Sequence, residues 1–213
     1  MKEEEEKIDL NVIILGDKGV GKSTIIQIIK NSELKEHGND LKDNNGNFIL
    51  KRKYEKRNKI IFLHLRKPEY EQITGENIPT QYYRDSHIVL LVFCNIETFN
   101  SIKDSWYKSY KEKANIENSR FILIGNKSDI FGDEREEIEK QGNKFAEEIN
   151  AQFLLSTTTI KDNMDNLDRF ITTEARRYID DEGKNKNNVQ ENENITISTE
   201  NHNNNVRRYR CKC

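Results

Sequence analysis

Two spacings alternate along the chain up to about residue 180. Short apolar, β-branched runs read as strands buried on both faces: Val12-Ile13-Ile14-Leu15, Ile60-Ile61-Phe62-Leu63, Ile88 to Phe93, and Phe121-Ile122-Leu123-Ile124. Phe153-Leu154-Leu155 is a further short strand. Between them the apolar positions take helical spacing: Ile25, Ile26, Ile28 and Ile29, then Phe99, Ile102, Trp106 and Tyr110, then Phe145 with Ile149. Leu167, Phe170, Ile171, Ala175 and Tyr178 mark a last helix. Doubly buried strands separated by helices predict a mostly parallel sheet covered on both sides. A hairpin is expected over 47–65, where two strand-like runs flank the polar Glu55-Lys56-Arg57-Asn58.

This pattern sets the expected boundaries: an acidic extension over 1–7, one domain over 8–180, and a tail over 181–213. Residues 182–205 are mostly Asn, Glu, Lys, Ser and Thr and offer almost nothing to bury, so they read as disordered. The polar stretch 31–47 reads as mobile for the same reason. Of 213 residues, 34% are charged and 34% hydrophobic, and the formal net charge is -2. That balance supplies no bulk basic field, which argues against a nucleic-acid partner. Three cysteines, two of them Cys211 and Cys213, cannot build a disulfide framework, so a reducing compartment is expected. MKEEEEK is followed by no apolar stretch of signal-peptide length, so export is not expected. The run Ile88 to Cys94 is too short to span a bilayer, and Cys94 within it reads as a buried, inert core residue.

Two motifs carry chemistry. Gly16-Asp17-Lys18-Gly19-Val20-Gly21-Lys22-Ser23-Thr24 satisfies G-x-x-x-x-G-K-[ST], with a strand running in and a helix running out. Gly19 and Gly21 let successive N–H groups converge on a phosphate, and the helix end adds positive potential. Lys22 reaches the β- and γ-phosphates, and the Ser23 hydroxyl suits Mg²⁺. The second motif, Gly125-Asn126-Lys127-Ser128-Asp129, follows another buried strand. In an open α/β sheet both loops lie at the carboxyl ends of strands, where ligands bind. The Asp129 carboxylate can accept from the two donors on the guanine edge, which adenine lacks. Asn126 can bond the base and tie this loop to the phosphate loop, and the Lys127 stem can lie along the ring. Either string alone also fits a simple polar turn; together, in this order, they point to guanine nucleotide. An adenine-nucleotide kinase is disfavoured by Asp129 and by the lack of any recognisable lid.

With GDKGVGKS, YYRDSHIVLLVF (Tyr82 to Phe93), FNSIKDSW (Phe99 to Trp106), GNKSD and a terminal C-K-C, the chain resembles the Ras superfamily of small GTPases, and within it the Rab family. The resemblance implies the P-loop NTPase fold of small GTPases: a six-stranded, mostly parallel sheet with about five helices. It further implies GTP and GDP as ligands, Mg²⁺ as cofactor, and a place in vesicle traffic. Its partners would be Rab escort protein, prenyltransferase, GDP-dissociation inhibitor and effectors.

The departures fall where the γ-phosphate is handled. No threonine occurs between Ile25 and Glu71, although the family uses one in its first switch. The family's D-T-A-G-Q-E has no counterpart in L-R-K-P-E-Y-E-Q-I-T-G. Counting back from Tyr82-Tyr83-Arg84 puts Pro68 at its aspartate, Glu71 at its glycine and Gln72 at its water-orienting glutamine, the single catalytic candidate. Lys18 stands at a phosphate-loop position that is small in most relatives. The family's E-T-S-A-K becomes Leu155-Ser156-Thr157-Thr158-Thr159, so Thr157, Thr158 and Thr159 would contact guanine. Nucleotide binding is therefore expected to persist while hydrolysis is weak or atypical. The other reading is a membrane-tethered adaptor with no hydrolytic cycle.

The ending V-R-R-Y-R-C-K-C resembles the double geranylgeranylation signal of Rab proteins, with Cys211 and Cys213 as acceptors. Two lipid chains hold a protein at a membrane where one is marginal, and Arg207, Arg208 and Arg210 add attraction to anionic headgroups. A frayed basic end and a metal or redox pair are the plainer readings of C-K-C. The expected home is the cytosol and the cytoplasmic face of an intracellular membrane. His37, His64, His87 and His202 show no metal-site spacing.

Overall fold

The computed structural model describes residues 6–31, 41–42, 48–54, 59–68, 80–114, 116–157 and 166–182. Strand β1 (Glu6–Leu15) carries the least polar stretch of the N-terminal region and sits between two parallel neighbours. β4 (Lys59–Arg66) pairs with it from Glu6↔Lys59 to Ile13↔Arg66. β5 (Ile88–Phe93) flanks its other side from Val12↔Ile88 to Leu15↔Leu91. Val12, Ile13, Ile14 and Leu15 are consequently all buried. β6 (Arg120–Gly125) and β7 (Gln152–Leu155) extend the sheet in parallel beyond β5. β3 (Phe48–Tyr54) pairs antiparallel with β4, as the hairpin pattern predicts, and the two-residue β2 (Leu41–Lys42) lies antiparallel to β3 at the edge. The order β2-β3-β4-β1-β5-β6-β7 contains the six expected strands with β2 added.

The helices follow the expected spacing. α1 (Lys22–Asn31) buries Ile25, Ile26, Ile28 and Ile29. α2 (Thr80–Arg84) buries Tyr83. α3 (Ile96–Ser101) opens on a capping box in which Asn95 Oδ1 accepts from the Thr98 N–H and the Thr98 hydroxyl reaches back to the Asn95 N–H. A π-helical segment, Ile102–Tyr107, joins α3 to α4 (Lys108–Lys113). α5 (Arg135–Glu148) covers β6 and β7 through Ile138, Phe145 and Ala146. Residues 166–175 form α6, with Leu167, Ile171 and Ala175 buried and Phe170 half-buried. The chain divides into two units, Met1–Ala175 and Arg176–Cys213; of the second, 176–182 are described and are helical.

Two expectations shift, and one buried charge has no counterpart in the sequence reading. The extension assigned to residues 1–7 yields Glu6 and Lys7 to the sheet, because Lys59 faces Glu6 in the β1–β4 register and its ammonium lies 2.9 Å from the Glu6 carboxylate. Cys94 is half-buried and lies one residue beyond β5, where its N–H donates to the Thr98 hydroxyl of the α3 cap. Arg52 falls on the buried face of β3, where the strand period predicts an apolar residue. Its guanidinium is paired bidentately with Asp168 of α6, at 2.7 and 3.2 Å, and Asp168 is fully buried. The 31–47 region outside Asn31 and Leu41–Lys42, and the tail beyond 182, lie outside the described residues.

A buried pair that loses one partner strands a charge. Asp168→Ala is therefore expected to destabilise the fold by about 3–5 kcal/mol, read by urea unfolding. A loss below about 1 kcal/mol would mean that water reaches Arg52.

Candidate functional site

The phosphate loop leaves β1 at Leu15 and ends where α1 begins at Lys22. Its backbone curls because Gly16 and Gly21 adopt φ values of +140° and +99°. Neither position has room for a side chain. A Cβ on Gly16 would lie 2.1 Å from the Val92 carbonyl oxygen, and one on Gly21 would lie 2.2 Å from Asn126 Nδ2. The curl brings two carbonyls over the start of α1, and Lys22 Nζ donates to both, Gly16 O and Asp17 O, at 2.6 Å each. An ammonium has three N–H groups, so one remains to meet a phosphate oxygen. Burial lowers the Lys22 pKa from its ordinary 10.5; the Asp17 carboxylate opposes that shift and the Lys67 ammonium adds to it. Val20 is buried and anchors the loop, whereas Lys18, Gly19, Ser23 and Thr24 are exposed around its rim.

The second loop is strapped to the first. Asn126 follows β6, is fully buried, and donates from Nδ2 to the Val20 carbonyl at 2.8 Å. Lys127 takes the left-handed conformation, φ 58°, and its ammonium donates to the Gly19 carbonyl at 2.8 Å. The stem of Lys127 thus crosses between the loops. Backbone pairing continues the sheet edge beneath them, with Asn126 N–H donating to Phe93 O, Ser128 N–H to Ser156 O, and Ser156 N–H to Gly125 O. β7 therefore delivers Thr157 to Asp129, and the Thr157 hydroxyl donates to Asp129 Oδ1 at 2.5 Å. Asp129 is exposed, so its carboxylate edge is open to a ligand. Asn126 Oδ1 and Ser156 Oγ are buried without a protein hydrogen-bond partner. An orphaned acceptor in the loop that also carries an exposed carboxylate suits a ligand that brings N–H groups, as guanine does.

The structure gathers Gly16 to Thr24, Asn126, Lys127, Asp129 and Thr157 along one end of the sheet. Thr158, Thr159, Gln72, Cys211 and Cys213 lie outside the described residues. Three participants escaped sequence reasoning. The Asp17 carboxylate oxygen Oδ1 accepts from Ser101 Oγ at 2.9 Å and from Trp106 Nε1 at 2.8 Å. Ser101 ends α3 and Trp106 lies in the π segment, where the wider turn re-aims the side chains that follow. In the sequence Trp106 shows helical spacing, which predicts core packing, and a place in the FNSIKDSW string, and neither points to Asp17. Lys67, one residue after β4, donates to the Ser23 hydroxyl at 3.1 Å. Its sole sequence signal was the missing acidic motif.

Two tests follow from this geometry. Gly21→Ala forces its Cβ against Asn126 Nδ2, so the folded variant is expected to bind mant-GDP at least about tenfold more weakly than the parent. Unchanged affinity would show that the strap between the loops is dispensable. Trp106 is the single tryptophan and is bonded to the phosphate loop, so adding GDP is expected to change its emission. A flat titration under conditions where mant-GDP binds would separate the indole from the loop.

The comparisons with known proteins agree with this geometry. A model of the Ras family matches residues 11–177. The Ras-related protein RABG1 of Arabidopsis thaliana is 28% identical over 131 residues, covering 59% of this chain and 61% of its own. Rab-26 of Drosophila melanogaster is 26% identical over 158 residues, covering 70% of this chain and 38% of its own. Rab-12 of Homo sapiens is 31% identical over 142 residues, covering 66% of this chain and 55% of its own. The chain thus aligns with roughly two fifths to three fifths of the length of these relatives. The family match takes in both loops and every strand from Asn11 onward: the chain belongs to the Ras family, and its likeness within that family is to Rab proteins.

Proposed function

We propose that the chain is a Rab-like guanine-nucleotide-binding protein that holds GDP and GTP and hydrolyses GTP weakly or not at all. The observation that carries the reading is the double strap between the loops, Asn126 to Val20 O and Lys127 to Gly19 O. It fixes the distance between a phosphate cradle and a base-reading carboxylate, which is what a ligand with both ends requires. Lys22 offers its remaining N–H to the phosphates, Asp129 accepts from the guanine edge, and Thr157 orients that carboxylate. Membrane attachment through prenylated Cys211 and Cys213, and a role in vesicle traffic with escort protein, prenyltransferase, dissociation inhibitor and effectors, belong to the same proposal. Their support is the terminal C-K-C and the likeness to Rab proteins. No helix among the described residues is long and apolar enough to cross a membrane.

Weak hydrolysis rests on the end of β4. Pro68 stands where the family resemblance implies an aspartate, and the ammonium of Lys67 just before it already donates to the Ser23 hydroxyl. The Mg²⁺ expected at Ser23 does not fit that arrangement, because a hydroxyl engaged by an ammonium presents a cation where the metal would sit. The same observation favours the second reading, an adaptor that keeps its nucleotide without turnover. Fluorescence titration with mant-GDP and mant-ADP tests the binding claim. A preference for the guanine nucleotide of at least about a hundredfold is expected, collapsing in Asp129→Ala, since unpaired groups discriminate steeply. Equal affinity for both would remove the base-reading role of Asp129. Single-turnover GTP hydrolysis tests the rest: a rate like that of ordinary Rab proteins would contradict weak catalysis.

A further inference from the structure

Ser23 is the second residue of α1, directly after Lys22, and its hydroxyl oxygen accepts from the Lys67 ammonium at 3.1 Å. The β1–β4 register explains how Lys67 gets there. Parallel pairing runs to Ile13↔Arg66, so the residue after β4 emerges beside the phosphate loop. Among the described residues at this end of β4, Arg66 and Lys67 carry cations and Pro68 carries no charge. Pro68 is buried, which pins the chain just past Lys67. The field of Lys67 also reaches Lys22, whose pKa it helps to lower.

A hydroxyl that ligates a dication turns its lone pairs to the metal. One of the two Ser23 lone pairs instead meets the Lys67 N–H donor, and the hydroxyl proton is left to donate to a phosphate oxygen. A divalent ion beside Ser23 would stand against two ammonium groups, and like charges repel. The structure assigns Lys67 as a built-in counter-ion: its ammonium takes the place of the divalent metal at the first turn of α1, so that guanosine diphosphate is held without Mg²⁺. This inference rests on the guanine-nucleotide reading above. It goes beyond it in making nucleotide retention independent of metal, with the positive charge supplied by the chain.

The test uses the full chain, stripped of nucleotide, with mant-GDP as probe in excess MgCl₂ or in EDTA. The expected affinities agree within about threefold in the two conditions, and Mn²⁺ added to the GDP complex gives no protein-bound signal by electron paramagnetic resonance. Lys67→Ala is expected to lose about tenfold or more in EDTA, the scale of a charge-assisted hydrogen bond, while Lys67→Arg retains most of it. Lys67→Asp, checked for folding by circular dichroism, is expected to make binding depend on Mg²⁺. A parent protein whose mant-GDP affinity rises about a hundredfold with Mg²⁺, or that binds Mn²⁺ with its nucleotide, overturns the inference and leaves nucleotide binding standing. No mant-GDP binding in either condition brings down the guanine-nucleotide reading itself, and the inference with it.

Discussion

The site depends on one buried amide. Asn126 Nδ2 gives its hydrogen bond to the Val20 carbonyl across two segments that are far apart in the chain. That bond requires Gly21 to have no side chain, because the space a Cβ would take is already filled by the amide nitrogen. It also requires β6 to lie beside β5 in parallel register, since Asn126 leaves the strand end where its N–H meets Phe93 O. Sheet order, glycine placement and side-chain chemistry therefore constrain one another at a single point. A buried donor left unpaired there would cost about 1–3 kcal/mol, enough to loosen both loops together.

The phosphate loop has a second support that comes from the helical layer. Asp17 is held by Ser101 and Trp106, and the π segment brings both donors onto one carboxylate oxygen. Trp106 belongs at the same time to the core beside Phe93, Phe99, Phe121 and Phe145. Packing of that aromatic cluster is thereby transmitted to the loop by a charge-assisted bond. Phe93 and Phe99 meet edge to face, as do Phe99 and Phe145, so the indole is set in a rigid wall.

Charge is arranged differently at the two ends of the site. At the Asp129 end an exposed carboxylate is steadied by a threonine hydroxyl, and the same loop carries the buried, unpartnered amide oxygen of Asn126. At the phosphate end two lysines, Lys22 and Lys67, flank the first turn of α1. The polarity matches a ligand with a donor edge at one end and anionic oxygens at the other. It also explains why the departures from the family pattern gather after β4: the segment there contributes cations to a place where the resemblance implies an acid and a metal.

Local chemistry made much of this legible in the sequence. Apolar runs with β-branched residues fixed the strands, because a strand buried on both faces has few other ways to satisfy its side chains. The glycine-lysine-serine string carried its own geometry, since Lys22 bonds to backbone carbonyls close by in the chain; the Asn126-Lys127-Asp129 string was legible from its residue types, although its bonds reach distant segments. Other features were decided only by tertiary structure. Arg52 broke the strand pattern, and nothing near it in sequence announced that Asp168, 116 positions away, would receive it. Trp106 looked like core and became a ligand of Asp17, because a π turn re-aims a side chain in a way that apolar spacing does not record. Lys67 looked like a gap in a motif, and only the parallel register of β4 against β1 turned that gap into a cation beside Ser23. The sequence by itself determined most of the apolar core and the make-up of the two loops; long-range pairing decided which charges face each other, because Coulomb and hydrogen-bond energies depend on distances in space that chain separation does not set.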